Sequence, residues 1–357
     1  MDQIAKGLDL RTVLWTCGET FLIALVLTPI LRDIFRAYHF VDRPGFRKIH
    51  AYPIPRLGGI AIAIAFALGL LRLNIGTELA WKLLPGAAVI FITGILDDFV
   101  NLPARYKLLG QTAAACIAFW MGIRIPGPLP LSFLITVFWL LLAVNSFNLI
   151  DGLDGLCTGM GLIAILALLL LAWIENSVAL QKATLPLVGA AIGFLCYNFS
   201  RATIFLGDSG ALLIGFVVGC SGVLWTMEPA VHGAALAAPV LAVSIPLMEV
   251  ILSVARRFLQ RRPLFAADQG HIHYRLLGRG LTPQRAVVTL YLWAIAGAIF
   301  GVFLDFRPFK QWSSLVIVGA CATACVGIRQ LRYPEFQAAT QLLIRGEFRR
   351  LRGKDAR

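Results

Sequence analysis

Eleven apolar runs dominate this chain, near residues 13–34, 58–74, 82–97, 107–123, 131–150, 156–174, 184–200, 207–226, 233–255, 286–304 and 312–329. Most approach the ~20 residues that a helix needs to cross a bilayer. In hydrocarbon, backbone N–H and C=O groups must be bonded within the chain, so runs of this length fold as helices or not at all. Charged residues make up only 14% of the chain, against about 25% in soluble domains. The expected fold is an all-α integral membrane protein, a polytopic bundle of about eleven transmembrane helices. The runs at 58–74 and 107–123 are short and read as tilted or broken helices. Met1 to Thr12 mixes charges, and no small-residue cleavage site follows the first run. That run is therefore expected to be a retained span rather than a signal peptide.

The distribution of charge orients the bundle. With the N-terminus outside, 24 of the 32 Lys and Arg residues fall on the inner side, as the positive-inside rule requires. The C-terminus is then cytoplasmic. Residues 1–330 read as one membrane domain and 331–357 as a basic cytoplasmic tail. The net charge of +13 suits the anionic inner leaflet of a lipid bilayer. No basic stretch forms a soluble domain, which argues against a nucleic-acid partner. The seven cysteines sit in or beside apolar runs without C-x-x-C spacing and read as small hydrophobes.

Against this background, polar residues inside or at the ends of spans carry information, because each costs a few kcal/mol unless it faces a cavity or has a function. The stretch Asn145–Leu156, N-S-F-N-L-I-D-G-L-D-G-L, joins two apolar runs. Asn148 and Asp151 are three apart and share a helix face. Gly152 and Gly155 free the backbone after each acid. Oxygen donors at this spacing suit a hard cation such as Mg²⁺. Simple capping is the alternative, but acids are disfavoured at a helix C-terminus.

Four further motifs fall on the same side. The loop Arg32–Arg56 contains R-K-I-H-A-Y-P-I-P-R, and its Lys48 and His50 are candidates for phosphate contact. The third run ends in L-D-D-F, placing Asp97 and Asp98 at the inner face, with Lys107 soon after. Adjacent acids repel one another but are common around metal-bound phosphates. F-L-G-D-S-G puts Asp208 at the start of the eighth run, where free N–H groups favour anions and an acid can hold a bridging cation. H-I-H brings His271 and His273 together. With no third N or S ligand close by, phosphate contact or proton transfer fits them better than zinc.

Taken in order, these motifs resemble the polyprenyl-phosphate N-acetylhexosamine-1-phosphate transferases, most closely the bacterial undecaprenyl-phosphate N-acetylglucosamine-1-phosphate transferase branch. The resemblance runs from about Asp42 to Gly280. It implies transfer of a sugar 1-phosphate from a UDP-N-acetylhexosamine to undecaprenyl phosphate, with UMP released. Mg²⁺ is the implied ion, with Mn²⁺ as the alternative. It also implies a multi-pass protein of the bacterial cytoplasmic (inner) membrane whose active site faces the cytoplasm; a homodimer is compatible with it. By resemblance, Asp208 and Asn148 hold the metal, and Asp97 and Asp98 lie beside metal and lipid phosphate. Asp151, Gly152, Leu153 and Asp154 belong to the nucleotide region. Asn198 is a polar contact, Phe205 stacks on uracil, and Lys48, His50 and Lys107 lie near nucleotide and phosphates. His271 and His273 match the family's histidine motif. The chain departs from the family pattern at Tyr274, Arg201 and Ala211.

A lipid monophosphate has its second pKa near ~6 and is mostly a dianion at neutral pH. It can attack the β-phosphorus directly, leaving Asp97 and Asp98 to position metal and nucleophile and to act as base only for the protonated fraction. Two rivals remain at this stage: the phospho-N-acetylmuramoyl-pentapeptide transferase of peptidoglycan synthesis, and a cation-coupled transporter. By resemblance, the short loop after Asp98, P-R-L-G-G and the H-I-H motif argue against the first. The clustering of acids at one face, without inverted repeats, argues against the second.

Overall fold

A computed structural model describes residues 7–42, 52–73, 78–260, 270–305 and 312–331. Eight helices come first: α1 Leu10–Ala37, α2 Gly59–Leu73, α3 Leu79–Val100, α4 Ala104–Trp120, α5 Leu129–Ile150, α6 Leu156–Ile174, α7 Val178–Asn198 and α8 Gly207–Thr226. A 3-10 turn at Gly233–Ala237 leads into α9 (Ala238–Ala242) and α10 (Ser244–Leu259). The short α11 (Ile272–Leu277), then α12 (Pro283–Asp305) and α13 (Ser313–Gln330), complete the order. Between α1 and α2, strands β1 (Val41–Asp42) and β2 (Ile54–Pro55) pair antiparallel, with Val41 opposite Pro55.

Among the described residues, seven helices are long and apolar enough to cross a membrane, or eight if the bent pair around Val243 is one span. The protein is thus a multi-pass, all-α membrane protein. The runs near 58–74 and 107–123 fold as helices of 15 and 17 residues, below the ~20 of a typical crossing. The run near 233–255 is broken, its halves meeting at 78°. Pro246 lies just past the break, in a first turn where its missing N–H costs nothing.

The surface of α1 shows which solvent surrounds the bundle. Thr20 and Thr28 are fully buried, while Leu14 and Leu22 are 63% and 56% exposed. Each threonine hydroxyl bonds a carbonyl one turn back, on Thr16 and Ala24. Small polar residues inward and large apolar residues outward is the pattern of a helix facing lipid.

At the centre stands α8, with every residue from Ser209 to Trp225 buried. It packs on α2, α3, α5, α6, α7 and α9. Gly215 and Gly219, four apart on one helix face, let α5 approach closely. A Cβ at Gly215 would lie 2.9 Å from Val144 Cα, and one at Gly219 3.0 Å from Ala143 Cβ. The N-terminal end of α8 is therefore fixed by all its neighbours, and the polar residues gather there.

Candidate active site

The N-terminus of α8 is built around Gly207, which has φ +75°. A side chain there would be strained, and its Cβ would lie 2.6 Å from the Arg56 carbonyl and 2.7 Å from Asp98 Oδ2. The preceding loop is tied to the β2–α2 connection: Phe205 N–H donates to Pro55 O (2.7 Å), while Gly58 and Gly59 N–H donate to Phe205 O and Leu206 O (2.9 and 2.8 Å).

Asp98 comes from the end of α3 and accepts the free amides of the α8 terminus, Asp208 N–H at 2.8 Å and Ser209 N–H at 3.0 Å. One carboxylate thus serves two N–H groups that the helix itself cannot satisfy. Asp208 projects beside it. Its Oδ1 accepts from Lys107 Nζ at 2.5 Å and from the Asn148 amide. Lys107 also reaches Asp97 Oδ2 at 2.6 Å, and Asp97 Oδ1 accepts Leu102 N–H at 2.7 Å. Lys107 therefore bridges two acids, and α3, α4, α5 and α8 meet at one point.

The α5–α6 connection supplies the adjoining wall. After Ile150 the chain turns tightly, with Gly152 N–H donating to Ile150 O at 2.8 Å. Burial, then the nearby Asp208 and Asp98 charges, push the Asp151 carboxyl well above the usual carboxylate range. Asp154 accepts Ala202 N–H at 2.8 Å. Asn198 accepts Gly155 N–H at 3.1 Å and donates to Ile204 O at 3.0 Å. Both bracket the α7–α8 loop against the α5–α6 turn.

These elements enclose a cleft of about 910 Å³. Of the residues predicted from sequence, Asp98, Asn148, Asp151, Gly152, Leu153, Asp154, Asn198, Phe205 and Asp208 line it. Arg36, Arg56 and Arg201 add positive charge to its walls. Lys107 and Asp97 stand behind Asp208. Lys48 and His50 lie outside the described residues.

The histidine motif sits under the α5–α6 turn. His273 is 1% exposed, and neither ring nitrogen has a partner among the described residues. Burial and His271 push its pKa down to about 3, so it is neutral. A Cβ at Gly152 would overlap this ring, so only glycine fits there. Tyr274, the next residue, lines the cleft. His271 stacks nearly parallel to His273, with ring centres 5.6 Å apart, and its Nδ1 lies 2.7 Å from Glu249 Oε1.

Sequence reasoning passed over Glu249 and Tyr291. Glu249 is fully buried on α10 and also accepts Ile272 N–H at 2.7 Å. Its signal was available, since it is the only acid in the run 233–255. Tyr291, on α12, donates its hydroxyl to Gly155 O at 2.6 Å. A tyrosine in an apolar run gives no comparable signal.

Chemically, the cleft combines oxygen donors with positive charge. Among the described residues, no three His, Cys, Asp or Glu side chains converge as metal ligands. Asp208, with 33% of its side chain exposed, and Asn148 instead offer a sparse, hard donor pair. Such a pair fits Mg²⁺, which is usually held by one or two carboxylates together with water and substrate phosphates. The Asp208 and Asp98 charges, which add to burial in raising Asp151, likewise favour a cation nearby.

Comparison with known proteins places these features. Residues 80–226 match the model of glycosyl transferase family 4. The chain is 32% identical, over 84% of its length and 86% of the other protein, to the "Probable undecaprenyl-phosphate N-acetylglucosaminyl 1-phosphate transferase" of Bacillus subtilis (strain 168). It is 31% identical to the decaprenyl-phosphate N-acetylglucosaminephosphotransferase of Mycobacterium tuberculosis (strain ATCC 25618 / H37Rv), over 90% of this chain and 89% of that one. Identity to the undecaprenyl-phosphate alpha-N-acetylglucosaminyl 1-phosphate transferase of Escherichia coli (strain K12) is 26%, over 87% and 89% of the two chains. The matched segment 80–226 contains Asp97, Asp98, Lys107, Asn148 and Asp208.

Proposed function

Because the chain belongs to glycosyl transferase family 4, among the polyprenyl-phosphate N-acetylglucosaminyl 1-phosphate transferases, we propose that it transfers N-acetylglucosamine 1-phosphate from UDP-N-acetylglucosamine to undecaprenyl phosphate, releasing UMP. The observation that carries this reading is the junction at Asp208. Acids, an amide and one ammonium from four helices converge on the end of α8 and open onto a cleft large enough for a nucleotide sugar.

The main barrier to the reaction is the approach of a phosphate dianion to a diphosphate in a low dielectric. The lipid phosphate oxygen attacks the β-phosphorus, and the bond from that phosphorus to the oxygen bridging to the UMP phosphate breaks. UMP leaves with the bridging oxygen and its charge. Lys107 and the arginines of the cleft offset that repulsion. Phe205 offers a face to uracil, while Asp154 and Asn198 hold the loop that carries it. Asp98 holds the α8 terminus so that Asp208 faces the phosphates. Asp208 and Asn148 would hold Mg²⁺, or Mn²⁺ in its place, and the ion supplies Lewis-acid neutralisation of phosphoryl charge when bound. The test is a panel of UDP-sugars offered with undecaprenyl phosphate and Mg²⁺, the lipid product being weighed by mass spectrometry. UDP-N-acetylglucosamine is expected to give the phosphosugar lipid and stoichiometric UMP; no lipid product from any donor would sink the proposal.

The charge distribution supports a proposal for topology as well. The described helices are part of eleven crossings by residues 1–330, with the N-terminus outside and the cleft and basic tail on the cytoplasmic side of the bacterial inner membrane. In a background without native cysteines, Ala230→Cys is expected to react with an impermeant thiol reagent in intact cells. Arg279→Cys is expected to react only after permeabilisation. Both positions are exposed, so the reverse pattern would overturn the orientation.

A further inference from the structure

Asn145 belongs to the motif that organises the site, yet it does not line the cleft. Its amide faces Gln111 on α4, and the two side chains bond reciprocally. Asn145 Nδ2 donates to Gln111 Oε1 at 2.8 Å, and Gln111 Nε2 donates to Asn145 Oδ1 at 3.3 Å. Asn145 Nδ2 also donates to Leu141 O at 2.8 Å. Gln111 is 2% exposed, so this is a polar pair within an apolar helix contact.

Its place relative to the site gives it a function. Gln111 lies four residues after Lys107 on α4, and Asn145 three before Asn148 on α5. Each pair therefore shares one helix face, about one turn apart. Lys107 and Asn148 meet on a single atom, Asp208 Oδ1. For both to reach it, α4 and α5 must hold one spacing and one axial register. Apolar packing between small and branched side chains tolerates sliding, whereas a two-way amide bond fixes distance and register together. On its other side α4 is held by α3, where Gly110 packs against Thr93. We propose that Gln111 and Asn145 are positioning residues, a neutral clamp that sets α4 against α5 so that Lys107 and Asn148 converge on Asp208. The inference rests on the transferase reading above, and neither Gln111 nor Asn145 is given a substrate contact in it.

The clamp predicts complementarity. Gln111→Asn leaves the pair one methylene too short, and Asn145→Gln leaves it one too long. The double swap restores the combined length with the same chemistry. Each single variant is expected to lower kcat at least about tenfold, given that a misplacement near 1 Å can cost ~100-fold. KM for both substrates should stay within about twofold, since the binding groups are untouched. The double swap is expected to recover kcat to within about threefold of wild type. Gln111→Met with Asn145→Leu removes both polar groups while keeping an apolar contact; it is expected to stay folded, by detergent melting, and to remain slow.

Single variants with kcat within twofold of wild type, or a slow double swap, would overturn the clamp. A fast Met–Leu variant would overturn it too, by showing that packing alone suffices. Wild-type chain inactive towards UDP-N-acetylglucosamine would instead sink the transferase reading, and the inference with it. The wild-type control thus separates the two failures.

Discussion

Asp208→Asn is expected to abolish turnover while leaving the protein folded and membrane-inserted. Asparagine has the same size and can still accept from Lys107 and Asn148 through its carbonyl oxygen, so the junction survives. What it lacks is the charge, and a lost anionic ligand removes several kcal/mol of transition-state stabilisation. That corresponds to a fall in kcat of roughly a thousandfold or more. Detergent melting, run alongside UMP release, separates chemistry from folding. Electron paramagnetic resonance of Mn²⁺ added to the purified protein gives a third reading, and the variant should bind the ion more weakly than wild type. Turnover within tenfold of wild type would show that the chemistry does not use the charge at position 208.

Asp98→Asn is expected to be nearly as damaging, for a different reason. Both Asp98 oxygens already accept backbone amides, from Asp208 and Ser209. An asparagine offers one acceptor and turns its NH₂ towards the other donor, so one bond is lost and two donors face each other. Losing a cap of this kind costs about 0.5–2 kcal/mol in stability, and the terminus that carries Asp208 must shift. A fall in turnover of about a hundredfold is expected from that misplacement, with a melting temperature lower by a few degrees. The pH dependence is the sharper test. If Asp98 serves as a base for the protonated fraction of the lipid phosphate, raising the pH from about 6 to about 9 supplies the dianion without it and restores activity. If it holds the helix, the deficit stays the same at both ends. A rescue of tenfold or more on the alkaline side would reject the positioning role.

Hydropathy made the helices legible because, in lipid, apolar length alone decides whether a segment folds as one. It did not show the break at Val243, since composition is unchanged across the bend. It did single out the runs that become α2 and α4 as short, and their helices stop at 15 and 17 residues. Within the site, Asn148, Asp151 and Asp208 stood out because each is polar where its surroundings are not. What spacing cannot carry is which partner a polar group takes. Asp98 bonds backbone 110 and 111 positions away, and Asp154 and Asn198 bond the backbone of the loop facing them. Glu249 shows the cost of reading motifs alone: a lone acid in an apolar run was visible, but its partner His271 lies 22 positions on.

The burial of α8 has a consequence for how this protein tolerates change. A helix on the rim of the bundle can exchange one large apolar residue for another against fluid lipid, which adapts to any shape. From Ser209 to Trp225, α8 has no such side; every position meets close-packed neighbours, where an extra methylene forces rearrangement. Its glycines are filled from outside by Val144, Ala143 and Pro239. In a library of random variants, inactivating changes should therefore crowd along the whole of this helix, far beyond the two residues, Gly207 and Asp208, through which it touches the cleft. The end that lines the cleft and the structural core are one continuous element, and drift in either is felt by both.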